Sequence, residues 1–168
     1  TSQYCTGESD RNNTLIDMYN WSITDGGKNC SGQEEQTYFI FQINTTASPQ
    51  NFSFQVDDAN LTVNWGDGNT TDYRGTVLLT HEYATADIYN ISVNGTASRI
   101  AYDDEWDEDD NDPTPGLLVD ILTPLSDGVS GLTSASYMFA NTNVTNFTSD
   151  TFFDDILSNI TDMSYMFV

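Results

Sequence analysis

The side chains with the clearest capacity for chemistry in this chain are carboxylates, and they are densest between residues 103 and 112. That stretch holds Asp103, Asp104, Glu105, Asp107, Glu108, Asp109, Asp110 and Asp112. Carboxylate oxygens are hard ligands suited to Ca²⁺, although the run lacks the central glycine and the terminal glutamate of an EF-hand loop. Two interpretations stand, a solvated acidic loop, which we favour, and a Ca²⁺ site. The ligands of that site would be Asp103, Asp104, Asp107, Asp109 and Asp110.

The histidine and the Gly-Asp-Gly turn do not form a catalytic pattern. His81 is the one histidine of the chain, and we expect it to cap or pack a strand rather than act as a base. Asp67 lies between two glycines and is expected to hydrogen-bond its own backbone, with Trp65 in the core. Because 26 acids make pairs of carboxylates unavoidable, such pairs give no support for a glycosidase. We therefore expect no enzymatic activity.

The two cysteines indicate the compartment. Cys5 and Cys30 suggest one disulfide that closes a 26-residue loop, worth on the order of 3 kcal/mol, and the alternative is a pair of free buried thiols. The sequence begins at Thr1 without a methionine, a basic region or an apolar leader, which is typical of a processed mature chain. No run approaches the ~20 apolar residues of a membrane span. We expect an exported, extracellular protein.

The charge balance limits the partners. Four Lys and Arg residues against 26 Asp and Glu residues give a net charge of -22. Because so few basic side chains cannot neutralise many phosphates, nucleic acid and anionic lipid are poor partners for this chain. Cations or a glycan coat are better ones. A second interpretation is that the acidity only keeps a surface protein soluble.

Sequons for N-glycosylation are strongly over-represented. Among 168 residues, 37 Ser and Thr residues and 16 asparagines predict about three or four sequons by chance. The sequence has twelve, at Asn12, Asn20, Asn29, Asn44, Asn51, Asn60, Asn69, Asn90, Asn94, Asn143, Asn146 and Asn159. An Asn- and Thr-rich β protein could accumulate unused sequons, but this does not easily explain so large an excess. We expect N-linked glycans on these asparagines, which should therefore face solvent.

Residues 37–102 have the alternating pattern of half-buried strands, with polar or glycosylatable residues between the apolar ones. Apolar residues recur every second position around Phe39–Ile43, Phe52–Val56 and Leu61–Trp65, and further strands are predicted at 77–80, 88–93 and 99–102. Short strands separated by turn residues favour a β-sandwich over residues 37–102. Residues 1–36 carry one more strand pattern, with Leu15, Tyr19, Trp21 and Ile23, but too little apolar mass for a core of their own.

The second half has a different pattern. The acid-rich residues 103–116 end in two prolines and form a boundary or an inserted loop. In residues 117–168 the phrase Ser-Tyr-Met-Phe occurs at 136–139 and again at 164–167, a spacing of 28 residues that lies in the range of solenoid repeats. Between the copies, Ser149 is a candidate N-cap for a short helix with an apolar face. A repeat stack without a polar cap exposes an apolar end.

Two family resemblances rest on these phrases. Asn64-Trp-Gly-Asp-Gly68, His81-Glu-Tyr83 and Tyr89-Asn-Ile-Ser-Val93 resemble the PKD-like β-sandwich, whose usual pattern is Trp-Gly-Asp-Gly, His-Thr-Tyr and Gly-X-Tyr-X-Val. Asp87 stands where that pattern has a glycine, which affects only the local turn. Leu132-Thr-Ser-Ala-Ser-Tyr-Met-Phe139 and Asn159-Ile-Thr-Asp-Met-Ser-Tyr-Met-Phe167 look like the BspA-like leucine-rich-repeat surface proteins, in which such a sandwich commonly precedes the repeats.

The resemblance covers residues 37–168 and implies an exported surface protein engaged in adhesion or interaction, with no active site carried over. We predict a mainly β fold, a PKD/Ig-like β-sandwich followed by a short BspA-type leucine-rich-repeat segment with a small helix. The expected function is a glycosylated structural protein of the cell surface. It would associate head to tail with copies of itself as a filament, the N-terminal region of one subunit covering the open repeat edge of the next. The rival is an adhesin or ligand-binding module whose repeats continue past Val168.

Overall fold

A computed structural model describes residues 37–103, 114–147 and 159–167 of the chain. These residues are mainly β, as predicted. The strands are β1 (Phe39–Asn44), β2 (Gln50–Asn64), β3 (Thr70–Tyr83), β4 (Ile88–Thr96), β5 (Arg99–Ala101), β6 (Leu118–Ile121), β7 (Val129–Ser130) and β8 (Asn146–Phe147). Two short 3-10 turns, Pro115–Leu117 and Leu125–Asp127, lie between the later strands.

Strand β2 is the centre of the sheet. It pairs with β3 in antiparallel register along its whole length, from Gln50 opposite Tyr83 to Asn64 opposite Thr70. Its other edge is shared, because β5 pairs with residues 55–57 and β4 with residues 60–64. The main path of the sheet runs β3-β2-β4-β1-β6-β8, with β5 beside β2 and β7 beside β4.

A β-bulge keeps both halves of β2 facing the same core. The register shifts between Val56 and Ala59, where Asp58 has a φ of 48°. Before the bulge the even-numbered Phe54 and Val56 are buried, and after it the odd-numbered Leu61 is buried. Side chains alternate between the two faces of a strand. The one extra residue at the bulge lets even-numbered residues before it and odd-numbered residues after it point into the same core.

The core is built largely from aromatic rings. The ring centroids of Phe41 and Phe54 lie 5.7 Å apart at 86°, and Tyr102 lies 5.2 Å from Phe41. Trp65 packs edge-on against Phe54 at 6.1 Å and is fully buried, as predicted. Such tilted and edge-to-face pairs add to the burial of the apolar area itself.

Residues after the acidic run join the same sheet. Strand β6 pairs antiparallel with β1, whereas β7 adds to β4 and β8 adds to β6 in parallel. Gly128, beside β7, accepts a hydrogen bond of 2.8 Å from the Gly95 N–H. The sheet therefore continues from the predicted sandwich into the predicted repeat segment.

Candidate functional site

The Gly-Asp-Gly turn is held by its own aspartate, which confirms the predicted local role. The Asp67 Oδ1 atom accepts a hydrogen bond from the Asn69 N–H at 3.0 Å, and Oδ2 accepts one from Asn69 Nδ2 at 2.9 Å. His81 Nε2 lies 2.8 Å from Asp67 Oδ2, and its ring stacks on Trp65 at 4.8 Å and 9°. His81 therefore packs on a strand, as predicted.

The electrostatics of this turn also favour a structural role. Partial burial raises the pKa of Asp67, but hydrogen bonds from His81 and Asn69 outweigh it, so that the pKa lies below its usual value. Burial, together with the nearby charge of Asp67, raises the pKa of Tyr83 far above its usual value, and its hydroxyl donates to the Trp65 carbonyl at 2.8 Å. Both groups thus hold the protonation states that complete the hydrogen bonds of the turn.

The predicted metal site falls mostly outside the described residues. Asp103 is described, and its Oδ2 accepts a hydrogen bond of 2.6 Å from Asn141 Nδ2. Asp104, Asp107, Asp109 and Asp110 lie outside, as do both cysteines and most of the predicted helix. Among the described residues no group of three His, Cys, Asp or Glu side chains could hold a metal ion. The Ca²⁺ site and the disulfide stay predictions.

The described sequons lie on outward positions. Asn44, Asn51, Asn60, Asn69, Asn90, Asn143 and Asn159 are exposed, and Asn94 is half-buried. Asn60, Asn90 and Asn94 share the outer face of the sheet, since Asn60 lies opposite Thr96, Asn94 opposite Thr62 and Asn90 opposite Gln42. The exposed asparagines meet the expectation that sequon residues face solvent, whereas the Asn94 Nδ2 atom donates a hydrogen bond to the Thr37 carbonyl at 2.9 Å. Asn12, Asn20 and Asn29 lie outside the described residues, and Asn146 is in β8.

The duplicated phrases stack on each other as two parallel layers, here called rungs, at residues 133–139 and 161–167. Their hydrogen bonds run from Thr161 N to Thr133 O (2.9 Å), Ala135 N to Asp162 O (2.8 Å), Tyr137 N to Ser164 O (3.2 Å) and Phe139 N to Met166 O (2.9 Å). Ser134 and Asp162 also form a parallel bridge. The 28-residue spacing in the sequence is thus the register of the stack.

The two rungs also share their local conformation. Tyr137 and Tyr165 both have positive φ, at 56° and 54°. The Asp162 Oδ1 atom accepts a hydrogen bond from the Ser164 N–H at 3.0 Å, and Ser134 Oγ accepts the equivalent bond from the Ser136 N–H at 3.2 Å. The same turn is therefore built twice by a short polar side chain at the same position.

A further rung, which the sequence pattern did not predict, connects the stack to the sheet. Residues 98–102 lie below the first copy, where the N–H groups of Thr133 and Ser134 donate to the Ser98 carbonyl. These residues include β5, which pairs with β2. Residues 98–102 do not contain the repeated phrase. The strand predicted at 99–102 is therefore the one feature of the sequence that indicated this rung. The stack therefore begins on the central strand.

Aromatic rings mark the stacking direction. Tyr102 stacks on Phe139 at 6.1 Å and 19°, and Phe139 stacks on Phe167 at 5.6 Å and 20°. Tyr137 stacks on Tyr165 at 5.0 Å and 13°. Each ring of the last rung therefore repeats a ring of the rung before it.

The last rung has an open edge. Met163, Tyr165 and Phe167 are 51%, 54% and 60% exposed, whereas Phe139, the equivalent of Phe167, is 4% exposed. The N–H groups of Met163 and Tyr165 donate no hydrogen bond within the described part of the chain, whereas the equivalent groups of the preceding rung donate to residues 162 and 164. The edge thus combines apolar surface with backbone donors, the two features that capture an added strand.

No family model, curated protein or solved structure matches this chain. The PKD-like and BspA-like resemblances therefore stay predictions. Across residues 37–103, 114–147 and 159–167, no helix is long and apolar enough to cross a membrane.

Proposed function

We propose that this chain is an extracellular, N-glycosylated structural protein of the cell surface that associates head to tail with copies of itself and forms a filament. The proposal includes a PKD/Ig-like sandwich that supports BspA-type repeats, and no enzymatic activity. The observation that carries it is the open edge of residues 161–167. This edge exposes Met163, Tyr165 and Phe167, and the N–H groups of Met163 and Tyr165 donate no hydrogen bond within the described residues.

Charge and sequons support a surface location. A net charge of -22 and twelve sequons suit a protein that stays soluble in a crowded extracellular layer. The described sequons lie on exposed or half-buried positions of the strands and loops. Glycans at these positions would cover the faces of the sheet. An uncovered edge then becomes the natural place for a specific contact between subunits.

The geometry of the stack supports a head-to-tail contact. At its other end, residues 98–102 connect to β2, so that only one end of the described stack is open. A contact between this edge and a different surface of another copy is heterologous, and it continues as a fibre unless the rotation between subunits closes a ring. The polymer would therefore be polar, with every subunit in the same orientation.

Electron microscopy of the native glycoprotein tests the proposal. Filaments are expected for the natural chain and are lost in Tyr165→Asp, which places a charge at the edge. Ile88→Asp is the matched control, because Ile88 is 56% exposed on β4 and the change in charge is the same. Globular particles alone at high concentration, or equal loss in both variants, would contradict self-association through this edge. An intact mass of 18.7 kDa would exclude glycans.

The second candidate is a non-catalytic adhesin or ligand-binding module within a longer repeat protein. The in-register stacking of residues 133–139 and 161–167 favours it, since further repeats would add in the same way. Mass spectrometry of the C-terminal peptide of the native protein separates the candidates. Repeats beyond Val168 would occupy the edge and would contradict assembly through it.

A further inference from the structure

A segment outside the described residues repeats the pattern of the outermost rung. Residues 15–21 are Leu-Ile-Asp-Met-Tyr-Asn-Trp, and residues 160–166 are Ile-Thr-Asp-Met-Ser-Tyr-Met. Both have Asp-Met at the centre, an aliphatic residue two positions before the aspartate, and a large apolar residue three positions after the methionine. Asp-Met occurs only at these two places in the sequence.

We infer that residues 15–21 of a second copy add to the open edge as its next rung, parallel to residues 160–166 and with Asp17 opposite Asp162. This inference rests on the proposed self-association and names the segment that makes the contact. The added strand continues the parallel order in which residues 98–102, 133–139 and 161–167 already stack.

The inward positions of the segment match the apolar columns of the stack. In this register Leu15 lies beyond Ile160, which packs against the core. Trp21 lies beyond Met166, which is only 6% exposed. Leu15 and Trp21 therefore extend two columns whose present members, Ile160 and Met166, are partly or almost fully buried, and the burial of more apolar surface is the driving force for adding a rung.

The outward positions agree with the sequons. Asn20 lies opposite Tyr165, which is 54% exposed, so a glycan on Asn20 would project into solvent. A shift of one residue would place Asn20 beyond the buried Met166 and Trp21 beyond Phe167, which is 60% exposed. The glycan thus helps to exclude the wrong register.

The backbone groups of the edge also fit this register. In the existing stack the Ala135 N–H donates to the Asp162 carbonyl and the Tyr137 N–H to the Ser164 carbonyl. One rung further, the Met163 N–H would donate to the carbonyl of Asp17, and the Tyr165 N–H to the carbonyl of Tyr19. An incoming strand therefore satisfies both donors of the edge by the same ladder.

Each copy of the chain contains one donor segment, residues 15–21, and one acceptor edge, residues 161–167. Contacts within the chain divide it into the units Thr1–Gln36 and Thr37–Val168, so that the segment and the edge belong to different units. A copy that receives a strand still offers its own. The contact therefore repeats from copy to copy, which is the heterologous pattern of a filament.

Cross-linking of the full-length glycoprotein tests the inference. In the double variant Met18→Cys/Met163→Cys, the paired positions would lie about 4.8 Å apart in adjacent parallel strands, within the range of a disulfide. Mild oxidation is expected to give covalent species at twice the monomer mass and at higher multiples, with the peptides of residues 18 and 163 joined in mass spectra. The control pairs Met18→Cys with Ala84→Cys, in an exposed loop between β3 and β4.

Each outcome decides the inference. A bond between residues 18 and 163 within one copy, or no such bond while the natural chain still forms filaments, would refute this segment as the occupant and leave the proposed function standing. Absence of both filaments and cross-links would refute the inferred segment and the proposed function.

A synthetic peptide of residues 13–23 gives an independent test. It is expected to shorten natural filaments, whereas the same peptide with Trp21→Ser is not. Equal effects of the two peptides would refute the register.

Discussion

Gly128 offers the sharpest test of how the repeat segment attaches to the sheet. Its φ of -127° is accessible to any residue, so a side chain there is limited by space and not by backbone strain. A Cβ atom would lie 1.9 Å from the Phe39 nitrogen and 2.2 Å from the Val93 oxygen, which belong to the paired strands β1 and β4. Backbone atoms of a central pair cannot move aside by changing rotamer.

We expect Gly128→Ala to lower the free energy of unfolding by about 2 to 4 kcal/mol. Overpacking of a buried site costs about 1 to 3 kcal/mol, and displacement of residue 128 also weakens the 2.8 Å hydrogen bond from Gly95, worth about 1 kcal/mol. Urea unfolding, followed by tryptophan fluorescence to which the buried Trp65 contributes, measures the loss as a lower midpoint at unchanged slope.

Gly116→Ala is the matched control. The nearest atom to its Cβ would be Asn143 Nδ2 at 3.7 Å, an ordinary contact. The substitution restricts the unfolded chain, so we expect no loss and a gain of up to about 1 kcal/mol. If Gly128→Ala were as stable as Gly116→Ala, the close packing of residue 128 on β1 and β4, and with it the attachment of the repeat segment, would be wrong.

Three further predictions concern the turn, the ring stack and the assembly. The pKa of Asp67 is lowered in the folded state, so its contribution to stability is present above the unfolded pKa of about 4 and is lost as the pH falls through the folded pKa. In Asp67→Asn the free energy of unfolding should therefore fall less steeply with acid. An unchanged acid dependence in urea unfolding would contradict this. Phe139→Ala should lower the free energy of unfolding by about 3 to 5 kcal/mol. Because Phe167 is 60% exposed, Phe167→Ala should lower it by only about 1 kcal/mol. Equal losses in urea unfolding would contradict the difference in burial between the two rings. Raising the salt from about 0.01 M to about 1 M shortens the screening length from about 30 Å to about 3 Å. The critical concentration for filament formation by subunits of charge -22 should therefore fall in sedimentation assays, and a rise would contradict charge repulsion between subunits as the factor that limits assembly.

The sequence predicts those parts of the fold whose buried face is regular. The alternation around Phe41, Phe54 and Val93 identified β1, β2 and β4, because each of these strands buries one face. It missed the first half of β3, residues 70–76, where most positions are exposed and pairing with β2 alone imposes the strand. It also missed β6 to β8, which have only two to four residues and cannot show a period.

The candidate site was predictable in part for a similar reason. The repeated Ser-Tyr-Met-Phe phrase predicted a repeat of 28 residues, and the hydrogen bonds between the two rungs confirm that register. The rung at residues 98–102 has no such phrase, because its role is to present backbone groups such as the Ser98 carbonyl, which any side chain allows. Contacts made by the backbone alone leave little trace in a sequence.

The position of the sequons gives a physical reason why an exposed strand edge can be tolerated. An open edge is a hazard because any extended chain can pair with it, and proteins usually blunt it with charge or cover it. Asn60, Asn90 and Asn94 lie on the outer face of the sheet. Residues 161–167 contain no asparagine, and the nearest sequon asparagine, Asn159, lies just before the rung. Under the proposed function, glycans would close the broad faces to unspecific contact and leave only the edge accessible. A strand that matches the apolar columns and the two N–H donors would then be favoured over an arbitrary one, which makes the edge a selective site.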